Sequence, residues 1–311
     1  MNSISSVPQG CQSVANLLPH FLDTLLMAAD QPLTSQEQPT GLFDLDRVIG
    51  SFDAGELIVI GGRPAMGKSS LVIAICTQAV PKKLPVLMLS ETPNAQVVHR
   101  LVATSGIDLT RLRTGRLTDA EWPILTETIE KLRNARIYLR DISGYRACDV
   151  PTVVESVQLD LGPLGMVLID GPPLGEAPSA ASLTPSLACR CKRLAVDLGI
   201  PVIATAQVGA APASTSVRCP MPSELISAQE IELYADVVIL VHRNGYYFGG
   251  SAESEQAAEI FVARNRRGPT AAIDVGFRHG VARFENWRDL NTQVAIAGQI
   301  ALGGAANARE S

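Results

Sequence analysis

The stretch Leu57-Ile58-Val59-Ile60-Gly61-Gly62-Arg63-Pro64-Ala65-Met66-Gly67-Lys68-Ser69-Ser70 decides the fold of this chain. Its four apolar, mostly β-branched residues predict a strand buried on both faces, and from Ser69 to Val80 the apolar pattern becomes helical. Between strand and helix, Gly62 to Ser69 fits the spacing GxxxxGK[ST]. Glycines let the backbone curl so that successive N–H groups converge on phosphate oxygens. The helix behind them turns the positive end of its dipole to the same oxygens. Gly62, Arg63, Pro64, Ala65, Met66, Gly67, Lys68, Ser69 and Ser70 are therefore candidate nucleotide contacts. Lys68 has the reach for β- and γ-phosphates, and the Ser69 hydroxyl suits Mg²⁺. A spacing match alone arises by chance; a strand before it and a helix behind it supply the structural context.

Outward from this stretch, short apolar runs recur at Val86–Ser90, Ile137–Arg140, Met166–Asp170, Val202–Ala206, Val237–Val241, Ile260–Ala263 and Ala272–Phe277, with Leu57–Gly61 the first. Helix-length patterns at Ser69–Val80, Ala95–Thr104, Asp119–Arg133 and Leu183–Leu198 separate the earlier ones. Strands apolar on both faces, alternating with helices, predict an α/β fold with a mostly parallel sheet covered on both sides. The later strands follow one another directly, which predicts a hairpin at the end of the sheet.

In open sheets of this kind ligands gather at the carboxyl ends of the strands. Asp170 ends the run Met-Val-Leu-Ile, where a carboxylate suits the Mg²⁺ shell; as a lone strand-end Asp it can equally cap a turn or helix. Glu91 directly follows Val86–Ser90 and can orient and deprotonate water, or cap the next helix. Gln207 ends Pro-Val-Ile-Ala-Thr-Ala-Gln, placed to sense a γ-phosphate or simply to begin a loop. Arg264 and Arg266 sit at a strand end before Gly-Pro. Such a tip holds cations out, as solvated surface or as a finger into a neighbouring subunit's site.

Composition narrows the class. With 311 residues, 46% hydrophobic and 18% charged, the chain fits one large domain or a domain with a small appendage, and not a disordered one. No run approaches the ~18–20 apolar residues of a membrane span. A net charge of −5 excludes a uniformly basic nucleic-acid coat while leaving room for a local patch. Six cysteines with no CxxC spacing, and four histidines distant from them, argue against a metal-thiolate centre and for small buried thiols. The first residues lack a basic start and an apolar core, so the default expectation is a reduced, cytoplasmic protein. Residues 14–29 carry a helical apolar stripe, interrupted by Pro19, that must be buried by folding back on its own domain or by docking on a neighbouring subunit, and residues 31–40 read as a linker. The expected layout is a tail, helix and linker over 1–37, the main domain over 38–286, and an Ala/Gly-rich mobile tail over 287–311.

These pieces in this order resemble the C-terminal motor domain of the DnaB-type replicative hexameric DNA helicases, a branch of the RecA-like ATPases. The resemblance is carried by PTGLFDLDRVIGSFDAGELIVIGGRPAMGKSS, LSETPNAQVVHRL, LRTGRLTDAEW, GMVLIDG, IPVIATAQ, ADVVILVHRNGYY and VARNRRGP, and spans about residues 38 to 286. It implies a RecA-like core that binds ATP and Mg²⁺ through Lys68 and Ser69, with Asp170 serving the metal and Glu91 as catalytic base. It implies that Gln207 links the γ-phosphate to a DNA-contacting loop. Arg264 and Arg266 would enter the adjacent subunit's site, with Arg266 as the finger. It implies further that the helix at 14–29 docks on the next protomer of a homo-hexameric ring moving on single-stranded DNA, and that a helicase loader or primase are possible partners. The chain departs from the family in three places. Only about 40 residues precede the motor, where the family has a helical collar domain. Gly171-Pro172-Pro173-Leu174-Gly175 replaces an aromatic and polar stretch. Ile226-Ser227-Ala228-Gln229 stands where the family has an Arg-Glu-Gly-Gly-like stretch that grips DNA. With Arg218 the sole basic residue between Val208 and Gln229, the resemblance leaves a channel poor in cations; Arg190, Lys192 and Arg193 on the following helix either add charge to it or form a solvated helix face. A non-motor ATP-binding oligomer is therefore the alternative expectation.

Overall fold

In a computed structural model, the structure describes residues 40–79, 84–171, 186–208, 219–243, 245–248 and 256–287, with positions 14, 15, 18, 19, 22, 23 and 26. The chain divides into two units, Met1–Glu37 and Gln38–Ser311. In the first, the described positions are helical on both sides of Pro19, and Val14, Leu18, Leu22 and Leu26 lie exposed at four-residue spacing.

The second unit opens with helix α1 (Phe43–Ile49), strand β1 (Leu57–Gly62) and helix α2 (Lys68–Gln78). Strand β2 (Val86–Ser90) leads into three helices, α3 (Asn94–Ala103), α4 (Leu109–Thr114) and α5 (Glu121–Asn134). Then come β3 (Ile137–Asp141), α6 (Val150–Leu161), β4 (Met166–Asp170), α7 (Leu187–Leu198) and β5 (Val202–Gln207). Helix α8 (Ala228–Tyr234), strand β6 (Val237–His242) and the single turn α9 (Gly245–Phe248) precede β7 (Ala257–Asn265), β8 (Ala271–Arg278) and β9 (Arg283–Asn286). Among the described residues the strands form one nine-stranded sheet, ordered β3-β2-β4-β5-β1-β6-β7-β8-β9. The first six in that order are parallel, and β7 to β9 run antiparallel.

The two-residue period of β1 divides the core. Ile58 and Ile60 pack with Leu71, Val72 and Ile75 of α2 on one face; Leu57 and Val59 pack with Leu194 and Ala195 of α7 on the other. Every residue of β1, β2, β4 and β6 is buried, as a parallel sheet covered on both faces requires.

The structure extends the sequence expectation in several places. The expected hairpin is a three-stranded meander, because Arg283-Phe284-Glu285-Asn286 is a strand despite having one apolar residue. Phe284 fills the space beside Phe277, and Glu285 is neutralised by Arg278 and Arg283. Helix α6 reads locally as β-branched (Val-Pro-Thr-Val-Val), yet Pro151 stands in its first turn, where no N–H is needed. Helices α1, α4 and α8 are too short for periodicity to single out. Of the cysteines expected to be buried, Cys76 and Cys191 are, and burial pushes both thiols up to about 12. Cys148, Cys189 and Cys219 are half-buried, and Cys11 lies outside the described residues. Among the described residues no group of three or more metal-ligating side chains occurs, and no helix is long and apolar enough to cross a membrane.

Candidate nucleotide site

Strand β1 delivers the phosphate loop between its neighbours β5 and β6. Gly62 is paired with Gln207 of β5, and a Cβ on Gly62 would stand 2.9 Å from the Val241 carbonyl oxygen of β6. The backbone therefore turns out of the sheet in a space that only glycine fits. Ala65 and Gly67 are left-handed, with φ of 63° and 104°. Met66 between them is fully buried and pins the loop to the core. No side chain caps α2 and no acid occupies its first turn, so its uncompensated N–H groups and dipole remain for an anion.

Lys68 Nζ donates to the carbonyl oxygens of Gly62 and Arg63, both at 3.0 Å, folding back over the loop. Burial lowers its proton affinity, and the Asp170 charge raises it. Behind the loop is a support that sequence reasoning missed. The buried Arg243, just past β6, donates from Nη1 to the Ala65 carbonyl at 3.0 Å, lies 4.0 Å over the Phe277 ring and meets the His279 imidazole at 2.7 Å through Nη2. The one local signal was the polar His-Arg pair that closes an apolar run, which marks an unusual position without saying what it touches.

Glu91, Asp170 and Gln207 arrive at the same edge. Ser90 of β2 pairs with Asp170 of β4, and the Glu91 N–H donates to the Asp170 carbonyl at 3.1 Å. Ser143 Oγ donates to the Glu91 carbonyl at 2.9 Å, and a Cβ on Gly171 would stand 2.6 Å from Glu91 Cγ. Asp170 is 8% exposed; Glu91 and Gln207 are exposed. Since β2, β4, β5 and β1 are consecutive neighbours, three inter-strand spacings put Glu91 and the loop within about 14 Å.

Arg264 and Arg266 are at the opposite edge. Strand β7 runs antiparallel to β6, so its end lies beside the start of β6: Arg264 pairs with Val238 and Asn265 with Val237. Arg266, opposite Asp236, lies about 17 Å along the strand from the β6 position beside Gly62, and Arg264 about 10 Å. A one-residue bulge between Val238 and Ile239 shifts the register, so that Arg264 faces with Val238 toward the layer of α7 and α8. Neither residue is a freely solvated tip: Arg264 is half-buried, and Arg266 pairs with Asp236 at 3.4 Å. One copy of the chain thus brings Lys68, Ser69, Asp170, Glu91 and Gln207 together and leaves the basic pair apart.

Of the residues weighed for a nucleic-acid channel, 172–185 and 209–218, with Arg218, lie outside the described residues. Ser227 adopts a left-handed φ of 63° and starts α8. Lys192 is neither channel charge nor solvated surface; it donates to the Gly55 carbonyl at 2.8 Å and pairs with Asp236 at 2.7 Å.

The family model for the DnaB-like helicase C-terminal domain matches residues 38–286. The chain belongs to that family. It is 27% identical over 283 residues to the replicative DNA helicase DnaB of Geobacillus stearothermophilus, covering 88% of this chain and 62% of that protein. It is 28% identical over 256 residues to the replicative DNA helicase DnaC of Bacillus subtilis (strain 168), covering 80% and 56%. The chain therefore spans less than two thirds of these relatives. Among solved structures it is similar to a DnaB-like replicative helicase described with its interactions with primase, with a TM-score of 0.72 and 22% identity, covering 89% of this chain and 67% of that one. At that identity the likeness concerns the RecA-like fold of the DnaB family.

Proposed function

We propose that this chain is the ATP-hydrolysing motor of a replicative DNA helicase ring, a homo-hexamer that moves on single-stranded DNA in the cytoplasm. The observation that carries the reading is the placement of the loop and the basic pair on opposite edges of one sheet, with Arg266 about 17 Å from the loop along the strand. A site needing both is completed by a second copy, and a closed ring gives every copy one loop and one donor edge.

The residues present fit ATP with Mg²⁺: a loop shaped by Gly62 and Gly67, an uncapped helix start, Lys68 beside it and the buried Asp170 carboxylate. Ser69 and Asp170 would hold the metal, which supplies charge neutralisation on the phosphates. Lys68 exchanges its two carbonyl acceptors for phosphate oxygens, and the loop amides cradle them. Glu91, exposed at the end of β2, orients water and takes its proton. Gln207, on the strand beside the loop, reports phosphate state to the following segment. Arg266 of a neighbouring copy meets the developing charge, with Arg264 next to it. The stripe at 14–29 would dock on the next protomer, and a loader and primase are the partners this reading expects. The relatives named above are helicases, which favours a motor over a non-motor oligomer.

ATP hydrolysis measured with and without single-stranded DNA tests the reading, with Lys68→Ala alongside. DNA should raise the rate several-fold, and Lys68→Ala should lower it by about 10²–10³. Equal rates with and without DNA would remove the motor; an unaffected Lys68→Ala would remove the nucleotide site too.

A further inference from the structure

Asp236, buried between α8 and β6, divides its two carboxylate oxygens unequally. Oδ2 accepts from the Leu57 N–H at 2.8 Å and from Lys192 Nζ at 2.7 Å, which satisfies the start of β1 and balances the buried charge. Oδ1 faces Arg266 Nη1 at 3.4 Å. The structural duties of Asp236 therefore run through one oxygen, and the other is turned to Arg266.

Arg266 is held at two further points. Its N–H donates to the Asp236 carbonyl at 3.0 Å, and Nη2 donates to the Leu233 carbonyl at 2.9 Å. Its side chain is still 43% exposed. Two of the guanidinium's five N–H donors are engaged in these side-chain contacts, and three are left for an anion. Arg267 next to it contrasts with this: it is bound to Asp53, Glu56 and the carbonyls of Ile49 and Ser51, which makes it a structural tie.

We propose that Asp236 is a positioning residue for Arg266, fixing the guanidinium fork so that it is already aimed when a neighbouring copy's nucleotide site closes on it. This rests on the shared-site reading above. A long, flexible side chain loses conformational freedom when it is fixed, and here the fold imposes that loss before assembly. The bulge in β7 turns Arg264 and Arg266 to the layer that contains Asp236, and Leu233 closes the other side of the fork.

The test uses mixed full-length chains. Donor subunits carry Lys68→Ala with Arg266 intact; acceptor subunits carry Arg266→Ala with the loop intact. Hydrolysis in the mixture then arises where a donor edge meets an acceptor loop. Asp236→Asn keeps an amide oxygen for Leu57 and Lys192 and turns an NH₂ donor toward Arg266. On the donor it should lower kcat of the mixture by roughly tenfold with little change in KM. On the acceptor, which has no finger left to aim, the same change should lower kcat much less. Equal loss from either subunit, or a larger loss from the acceptor, overturns the proposal and shows Asp236 acting through β1. If Asp236→Asn does not fold, Asp236→Glu keeps the charge, displaces the carboxylate by one methylene, and should give the same donor-side loss. A mixture no more active than either variant alone overturns the shared site itself, a result distinct from loss of the asymmetry.

Discussion

The two edges of one sheet are built in different ways. At the carboxyl edge, nine consecutive residues from Gly62 to Ser70 make the loop, and its shape comes from local backbone: left-handed Ala65 and Gly67 and an uncapped helix start. At the opposite edge, Arg266 is placed by Asp236 and Leu233, some thirty positions earlier in sequence, and by Lys192 through the shared carboxylate. Local geometry sets the loop's shape, because a cradle of N–H groups needs a curled backbone and a dipole, and Arg243 adds one distant tie at the Ala65 carbonyl. A guanidinium that must point out of the molecule needs acceptors, and those come from distant segments.

Substitutions can break or sharpen this contrast. The largest effect is expected from Arg266→Ala, which should lower ATP hydrolysis by about 10³-fold or more while nucleotide binding, read by equilibrium titration, stays nearly unchanged. A parallel loss of binding would mean that the distal edge acts on its own loop.

Gly67→Ala probes the near edge. A Cβ there would lie 2.7 Å from Phe284 Cζ at a φ of 104°, so the change should weaken folding and not only binding. Overpacking on this scale costs about 1–3 kcal/mol, a Tm roughly 3–10 °C lower in thermal unfolding. An unchanged Tm would show that the β9 strand yields to the loop.

The smallest effect concerns α1, whose far end ties to the distal edge through the Ile49 carbonyl and Arg267. Burial pushes the Asp46 carboxyl from 3.8 up to about 6, against hydrogen bonds from Thr40 and Gly41 that favour the charged form. Between those values the folded chain holds the proton that the unfolded chain has released, so stability should fall as pH rises from 4 to 6. The expected loss is about 1–2 kcal/mol, read by comparing the slope of unfolding free energy against pH between the native chain and Asp46→Asn. Identical slopes would show that Asp46 ionises freely.

Legibility follows the same division. The strand–loop–helix unit at 57–78 and the strand-end placement of Asp170 and Glu91 are written in runs of five to ten residues, each interpretable alone. Arg243 under Ala65 was not readable, because nothing within ten residues of either says that they touch. Strand β9 escaped notice because Glu285 is tolerable in a buried strand only with Arg278 and Arg283 beside it. The bulge in β7 leaves no mark in Ala-Arg-Asn-Arg-Arg, since a register shift belongs to a pair of strands.

By itself the sequence determined a parallel α/β sheet with a phosphate loop at its carboxyl edge, because hydrophobic period and glycine placement act over a few residues. Only the tertiary structure decided that Arg264 and Arg266 stand on the other edge, Arg266 about 17 Å away, and that Asp236 holds Arg266. The direction of β7 and the sharing of a buried carboxylate depend on which segments meet, and that is settled by packing.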